Sequence, residues 1–162
     1  MPRPRHWTVH VDLSSGKVTR EPVAEQIDQT LIGGCGVGWK LAAEHLAAGV
    51  DPLSPENLII INPGLFVGTL TPGTPKTTVI TKFPTYASED GRFYVGASTC
   101  GGRFFGIALN QAGCQHLVIS GKAPSPVYLR IRDDCIQLVD AEDLWGKGIQ
   151  HVTNELVRRE GP

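Results

Sequence analysis

What most constrains this chain is the shortness of its apolar runs. The segments "WTVHVDL", "KVTREP", "LIIIN", "TTVITKF", "HLVISG", "VYLRIR" and "CIQLVD" are rich in β-branched residues or alternate apolar with polar, and each soon meets Gly, Pro, Ser or Asp. Segments of this length read as strands. "WTVHVDL" and "KVTREP" flank "SSG" and form a hairpin, and "LIIIN" is apolar enough for a strand covered on both faces. "HLVISG", "VYLRIR" and "CIQLVD", separated by "KAPSP" and "DD", suit an antiparallel meander. Helical spacing appears in "VAEQIDQTLI", from about Val37 to Ala48 with a stripe of Trp39, Ala42, Ala43 and Leu46, in "FFGIALNQAG", and in "GIQHVTNELVRRE" with Ile149, Val152, Leu156 and Arg159 on one side. "PGLFVGTLTPGTPK" and "PTYASEDGRFYVGASTCGGR" read as long irregular loops. The expectation is an α+β fold in a single domain over 1–162, with Trp39 and Phe104 as large core residues.

Composition closes off several functions. A formal charge of -1 with evenly spread charged residues lacks the basic excess that nucleic-acid binding draws on. No run of 18 apolar residues could span a bilayer, and the first residues lack the apolar stretch of a signal peptide, so a cytoplasmic protein with no membrane partner is expected. Cys35, Cys100, Cys114 and Cys135 are too scattered for a disulfide framework or a local metal site, and free thiols are expected. Neither the dispersed histidines nor the acidic turns assemble an acid–base pair or a triad.

The glycine cluster "LIGGCGVGWKLAAEHLAAG" raises the question of nucleotide binding. Gly34 and Gly36 would need a third glycine where Trp39 stands, the preceding segment is helical rather than extended, and no G-K-[ST] closes the turn. Two readings remain: a sharp helix-to-helix corner with close backbone packing, or a place where a ligand approaches.

"GVDPLSPEN", "GG-FFG-AL--AG" and "LWGKG", with "TPKTTVITKFP" and "HLVISGKAPSPVYLRIRDD" in the same order, resemble the N-terminal domain of the aldehyde ferredoxin oxidoreductase family over nearly the whole chain. The resemblance implies a large mixed, mostly antiparallel β-sheet with a few packed helices, forming a base under a tungsten or molybdenum bis-pterin cofactor. The enzymes of this family oxidise aldehydes to carboxylic acids, with electrons passing through a [4Fe-4S] cluster to ferredoxin. Lys76 stands where the family places an arginine between cofactor and cluster, keeping the charge without the planar fork. Thr99, Cys100, Gly101 and Gly102 stand where the family has an Asn, a small residue and two glycines that contact pterin and a phosphate-bridging magnesium. A Thr hydroxyl keeps one oxygen ligand for such a cation. Arg103 reads as an inserted residue able to meet a phosphate. Cys100 reads as a buried small residue, with a thiolate at a helix start as the alternative.

The family domain continues with further strands, and its cluster cysteines, proton-transfer residues and other pterin contacts fall beyond the matched region. The resemblance therefore implies a subunit or split part of such an enzyme, with [4Fe-4S] ligands outside this chain and a second polypeptide or self-association completing the site. Exposed apolar edges are expected on that reading. A stand-alone, non-catalytic binding, assembly or scaffold module, with a sealed surface, is the alternative; a protein reusing the same loops for another anion is a third. If the bends at Lys76 and at Thr99–Arg103 share one pocket, they must lie side by side.

Overall fold

The computed structural model describes residues 7–101, 104–133 and 135–161. The opening hairpin forms as expected: β1 (Trp7–Asp12) pairs antiparallel with β2 (Lys17–Pro22). Its turn is held by Asp12, whose Oδ1 accepts from the Ser14 amide at 2.9 Å, and by Ser14 Oγ, which accepts from the Lys122 amide at 3.0 Å. Helices α1 (Glu25–Leu31) and α2 (Gly34–His45) follow, then β3 (Ile59–Pro63), β4 (Thr77–Ala87), β5 (Phe93–Cys100), α3 (Phe105–Gln111), β6 (Cys114–Ser120), β7 (Val127–Arg132) and β8 (Cys135–Asp140). A single 3₁₀ turn, Glu142–Leu144, precedes α4 (Ile149–Glu160).

Six strands form one sheet in the order β2-β1-β6-β3-β4-β5; only β1 and β6 run parallel, and β7 and β8 pair apart from it. This is the mixed, mostly antiparallel α+β architecture implied by the resemblance. Alternation along each strand divides the core into two layers. On one face Val37, Leu41 and Ala42 of α2 pack on Leu58, Ile60, Ile80 and Val118, with Ile27 and Leu31 of α1 alongside. On the other, Val9, Val11 and Leu117 meet Leu109 of α3 and the inner face of the β7–β8 hairpin, Leu129, Ile131, Ile136 and Leu138.

Several expectations need correction. The stretch 84–100 is not irregular: β4 extends to Ala87, and after a turn in which the Ser88 amide donates to Arg92 O at 2.7 Å, β5 runs to Cys100. The small residues Gly96, Ala97 and Ser98 hide that strand from propensity, and the long antiparallel partner β4 supplies the register they do not. β6 does not join β7 in a meander, because it inserts between β1 and β3. The stripe assigned to α2 is also displaced. Its buried face is Gly34, Val37, Gly38, Leu41 and Ala42, and Trp39 points outward at 40% exposure. Phe104 is likewise outside the core, 63% exposed, since α3 approaches the sheet through Gly106 and Leu109.

Glycine explains both displacements. A Cβ on Gly38 would lie 2.3 Å from Asn62 Nδ2 and 2.5 Å from Ile80 Cδ1, and one on Gly106 would lie 2.5 Å from Thr77 Oγ1. The helices therefore touch the sheet through backbone, and bulky neighbours turn away. α4 forms where expected, but none of its residues is buried. Its last turn is latched to the outer face of β7: Tyr128 OH donates to Glu160 Oε1 at 2.6 Å, and Arg132 Nη2 donates to Glu160 Oε2 at 2.9 Å. Arg159 pairs with Asp143 and Glu155.

Candidate functional site at one end of the sheet

Strand register decides whether the two bends meet. Thr77 pairs with Cys100 and Thr78 with Thr99, so Lys76, one step before β4, lies beside Gly101, one step after β5. The bends are neighbours at one sheet end, as a shared pocket requires. The loop after β3 joins them, because the Gly64 amide donates to Lys76 O at 3.3 Å. The glycine cluster reaches the same place: Gly33 and Gly64 form an isolated antiparallel bridge, and a Cβ on Gly33 would lie 2.9 Å from the Leu65 amide nitrogen. Of the two readings left open for that cluster, the corner with close packing accounts for these contacts. Ile32, Gly33 and Gly34 all take positive φ, 56°, 63° and 48°. For the β-branched Ile32 that conformation is strained, and strain of this kind collects where a loop is held by its surroundings.

Lys76, Thr99, Cys100 and Gly101 are all exposed; Gly102 and Arg103 lie outside the described residues. Exposure of Cys100 overturns the expectation of a buried small residue, and the reason is position. β5 is the last strand of the sheet. The buried thiol is Cys114, where burial pushes the group up to about 12. Among the described residues, Lys76 is the one charged residue in the segments 30–38, 58–81, 93–101 and 104–114 that converge here. The loop after β3 carries the exposed apolar Phe66 and Leu70, and the chain entering α3 carries the exposed Phe104 and Phe105.

One feature of the site escaped the sequence reading. Glu21, Thr8, His116, Asn62, Thr78 and Thr99 follow one another across β2, β1, β6, β3, β4 and β5: the registers pair Glu21 with Thr8, Thr8 with His116, Asn62 with Thr78 and Thr78 with Thr99. His116 Nδ1 and Asn62 Oδ1 close the remaining step with a hydrogen bond of 2.9 Å. Directly opposed residues share a face, so a polar row crosses the sheet beneath α2 and ends at Thr99, whose hydroxyl lies 3.4 Å from that of Thr78. Its inner members Asn62 and His116 are fully buried. The available signal was a polar residue ending the apolar run "LIIIN" and a histidine opening "HLVISG".

Comparison with known proteins gives this end of the sheet its context. Residues 8–162 match the family described as aldehyde ferredoxin oxidoreductase, N-terminal domain. The chain belongs to that family. It is 34% identical over 152 residues to the tungsten-containing aldehyde ferredoxin oxidoreductases of Pyrococcus furiosus and of Thermococcus kodakarensis, covering 94% of this chain and 24% of each relative. It is 36% identical over 142 residues to the WOR-like subunit of an aliphatic sulfonate oxidoreductase of Pyrococcus furiosus, covering 85% of this chain and 21% of that one. Among solved structures, the active-site complex BamBC of benzoyl coenzyme A reductase, in complex with 1,5-dienoyl-CoA, superposes with a TM-score of 0.87 at 30% identity, over 96% of this chain and 23% of the other. The chain thus spans about a quarter of the length of the relatives it matches.

The corner can be tested against the tungsten cofactor that the relatives' names imply. A Cβ at Gly101 would meet nothing within 4 Å among the described residues, and the two neighbouring bends carry the exposed Lys76 and Thr99, an ammonium and a hydroxyl. That donor set fits an anionic group with phosphate or pterin oxygens. It does not fit a divalent cation: no carboxylate stands in the converging segments, and no group of three His, Cys, Asp or Glu able to hold a metal occurs among the described residues.

Proposed function

We propose that this chain supplies one wall of a tungsten or molybdenum bis-pterin site in an enzyme that oxidises aldehydes to carboxylic acids. The observation that carries the reading is the adjacency of Lys76 and Gly101 across the β4–β5 register. Lys76 would hold an anionic oxygen of the cofactor, Gly101 would let the backbone close on it, and Thr99 would offer a hydroxyl with that of Thr78 beside it on the same face. Arg103 would add a second cation. When bound, the cofactor supplies two-electron chemistry, accepting the pair released as an aldehyde and water become a carboxylic acid and two protons. Acid–base residues and the ligands of a [4Fe-4S] cluster would come from outside residues 1–162, with ferredoxin taking the electrons from the whole enzyme.

The resemblance also allows a phosphate-bridging magnesium at Thr99, but the absence of a carboxylate from this corner keeps it out of the proposal. The stand-alone module calls for a sealed surface, and the exposed Phe66, Leu70, Phe104 and Phe105 argue the other way. No helix among the described residues is long and apolar enough to cross a membrane, and the free thiols suit the cytoplasm, where we place the protein. Metal analysis of the assembly purified from the source cells is the test. Tungsten or molybdenum at about one per chain, lost in Lys76→Ala while the fold melts unchanged, supports the reading; a metal-free assembly refutes it.

A further inference from the structure

The last turn of α4 holds a carboxylate where the helix itself disfavours one. Partial negative charge collects at a helix C-terminus, so Arg158 and Arg159 suit this turn and Glu160, its final residue, does not. β7 accounts for it. Tyr128, Arg130 and Arg132 stand at every second position and share the outer face of that strand, opposite the inner Leu129 and Ile131 that pack on the six-stranded sheet. All three converge on Glu160. Its Oε1 accepts from Tyr128 OH at 2.6 Å and from Arg130 Nη1 at 3.4 Å, its Oε2 accepts from Arg132 Nη2 at 2.9 Å, and the same Nη2 donates to Glu160 O at 2.8 Å. The carboxyl is held below the ordinary carboxylate range, first by the Tyr128 hydroxyl and then by the charges of Arg130 and Arg132. The same bond raises the Tyr128 hydroxyl above its ordinary value and keeps it a donor. A phenol and two guanidiniums on one strand face make a receptor for a carboxylate, and the chain's own side chain is seated in it.

Apolar packing contributes little to holding the helix there. None of its residues is buried, Ile149 and Val157 are exposed, and Val152 and Leu156 are only half-buried. Arg159 makes a second tie to Asp143 of the 3₁₀ turn, and Arg158 pairs within α4, with Glu155. The hairpin beneath does not depend on α4, since its inner residues Leu129, Ile131, Ile136 and Leu138 pack on the sheet. We infer that Tyr128, Arg130 and Arg132 form a carboxylate-binding site that the protein occupies with Glu160, and that α4 is a strap which lifts as a unit when this carboxylate leaves, freeing the site for a carboxylate of another molecule. The inference is independent of the cofactor reading, because β7 and β8 pair apart from the sheet whose end carries Lys76 and Gly101. Lifting has a built-in readout. A helix of 12 residues is marginal in water once it loses its support, so an undocked α4 gives up its amide protection while the sheet keeps its own.

Hydrogen exchange of the protein expressed in its own source, read by mass spectrometry on peptides of α4, β1 and β6, tests this. Glu160→Ala removes the carboxylate and puts the best helix former in its place, so lost protection reports lost docking rather than lost helix propensity. Exchange in α4 should quicken about tenfold, the low end for hydrogen bonds to a charged group at a partly exposed place, while β1 and β6 keep the parent rates. Arg158→Ala, which removes a charge from the same turn without touching β7, should leave α4 protected. In the parent, sodium succinate should speed α4 exchange more than sodium chloride of equal ionic strength, because a competing carboxylate enters the site as well as screening it. That difference should vanish in Glu160→Ala, where no carboxylate is left to displace. Parent-like protection of α4 in Glu160→Ala overturns the strap. Equal effects of succinate and chloride on the parent overturn the carboxylate site, and an α4 already unprotected in the parent overturns both.

Discussion

Replacing Gly38 with alanine sets two physical effects of opposite sign against each other. Alanine in a helix interior is favoured over glycine by about 1 kcal/mol, and Gly38 has no positive φ to oppose it, so propensity alone forecasts a more stable protein. Packing forecasts the reverse. The added methyl would sit 2.3 Å from Asn62 Nδ2 and 2.5 Å from Ile80 Cδ1, far inside contact distance. Both neighbours are fully buried, and the Asn62 amide cannot swing aside without giving up its bond to His116 Nδ1. Overpacking of this kind costs about 1–3 kcal/mol, and losing the buried hydrogen bond adds about 1 kcal/mol. The net expectation is a loss of about 2 kcal/mol, or a fall in Tm of roughly 4–8 °C for a chain of this size. Thermal unfolding followed by circular dichroism measures it, with urea titration at unchanged m-value as the check that the unfolded state is the same. Ala43→Gly on the exposed side of the same helix calibrates propensity and should cost about 1 kcal/mol. A Gly38→Ala protein that melts higher than the parent would refute the close helix–sheet approach.

Other expectations are more direct. In Asn62→Ala the His116 ring loses the amide it faces in a fully buried place, and urea unfolding should report a loss of about 1–3 kcal/mol. Ile32→Gly removes a β-branched side chain from a left-handed conformation while sacrificing little burial, so a gain of up to about 1 kcal/mol should appear as a higher melting temperature. A thiol reagent should modify Cys35, Cys100 and Cys135 quickly in the folded protein and Cys114 only on unfolding, because burial holds that thiol protonated. Glu155 is held down to about 2 by hydrogen bonds from Arg158 and then Arg159. Its folded value lies below the ordinary 4.5, so the tie it makes in α4 is fully present above about pH 4.5 and fades as pH falls toward 2. An NMR titration giving Glu155 a midpoint near 4.5 would show that the tie does not form in solution.

Periodicity located the elements whose burial follows from a single element's own pattern. The β1–β2 hairpin and the strands from β3 to β8 with strong β-branched character stood out, as did the α4 segment, and β5 did not. Its Gly96-Ala97-Ser98 centre has no intrinsic strand preference, and only pairing with β4 makes it one. The face of α2 was misjudged for a related reason. Scales of hydrophobicity reward Trp39, but contact with the sheet is decided by how near the helix axis can come, and that favours Gly34 and Gly38. Of the candidate site, the pairing of Lys76 with the Thr99–Gly101 bend was legible through family likeness, and its geometric basis needed the register. The polar row from Glu21 to Thr99 was invisible, because its members come from six strands and become neighbours only when the sheet is ordered.

The parallel contact between β1 and β6 has a consequence for synthesis on the ribosome. Trp7 of β1 pairs with Cys114 of β6, a strand made roughly a hundred residues later. At ordinary elongation rates of about 5–20 residues per second, the opening hairpin waits roughly 5–20 s for its inner neighbour. Until then the side of β1 destined for β6 is a nascent edge of the chain, which gives ribosome-bound chaperones a defined interval in which to act.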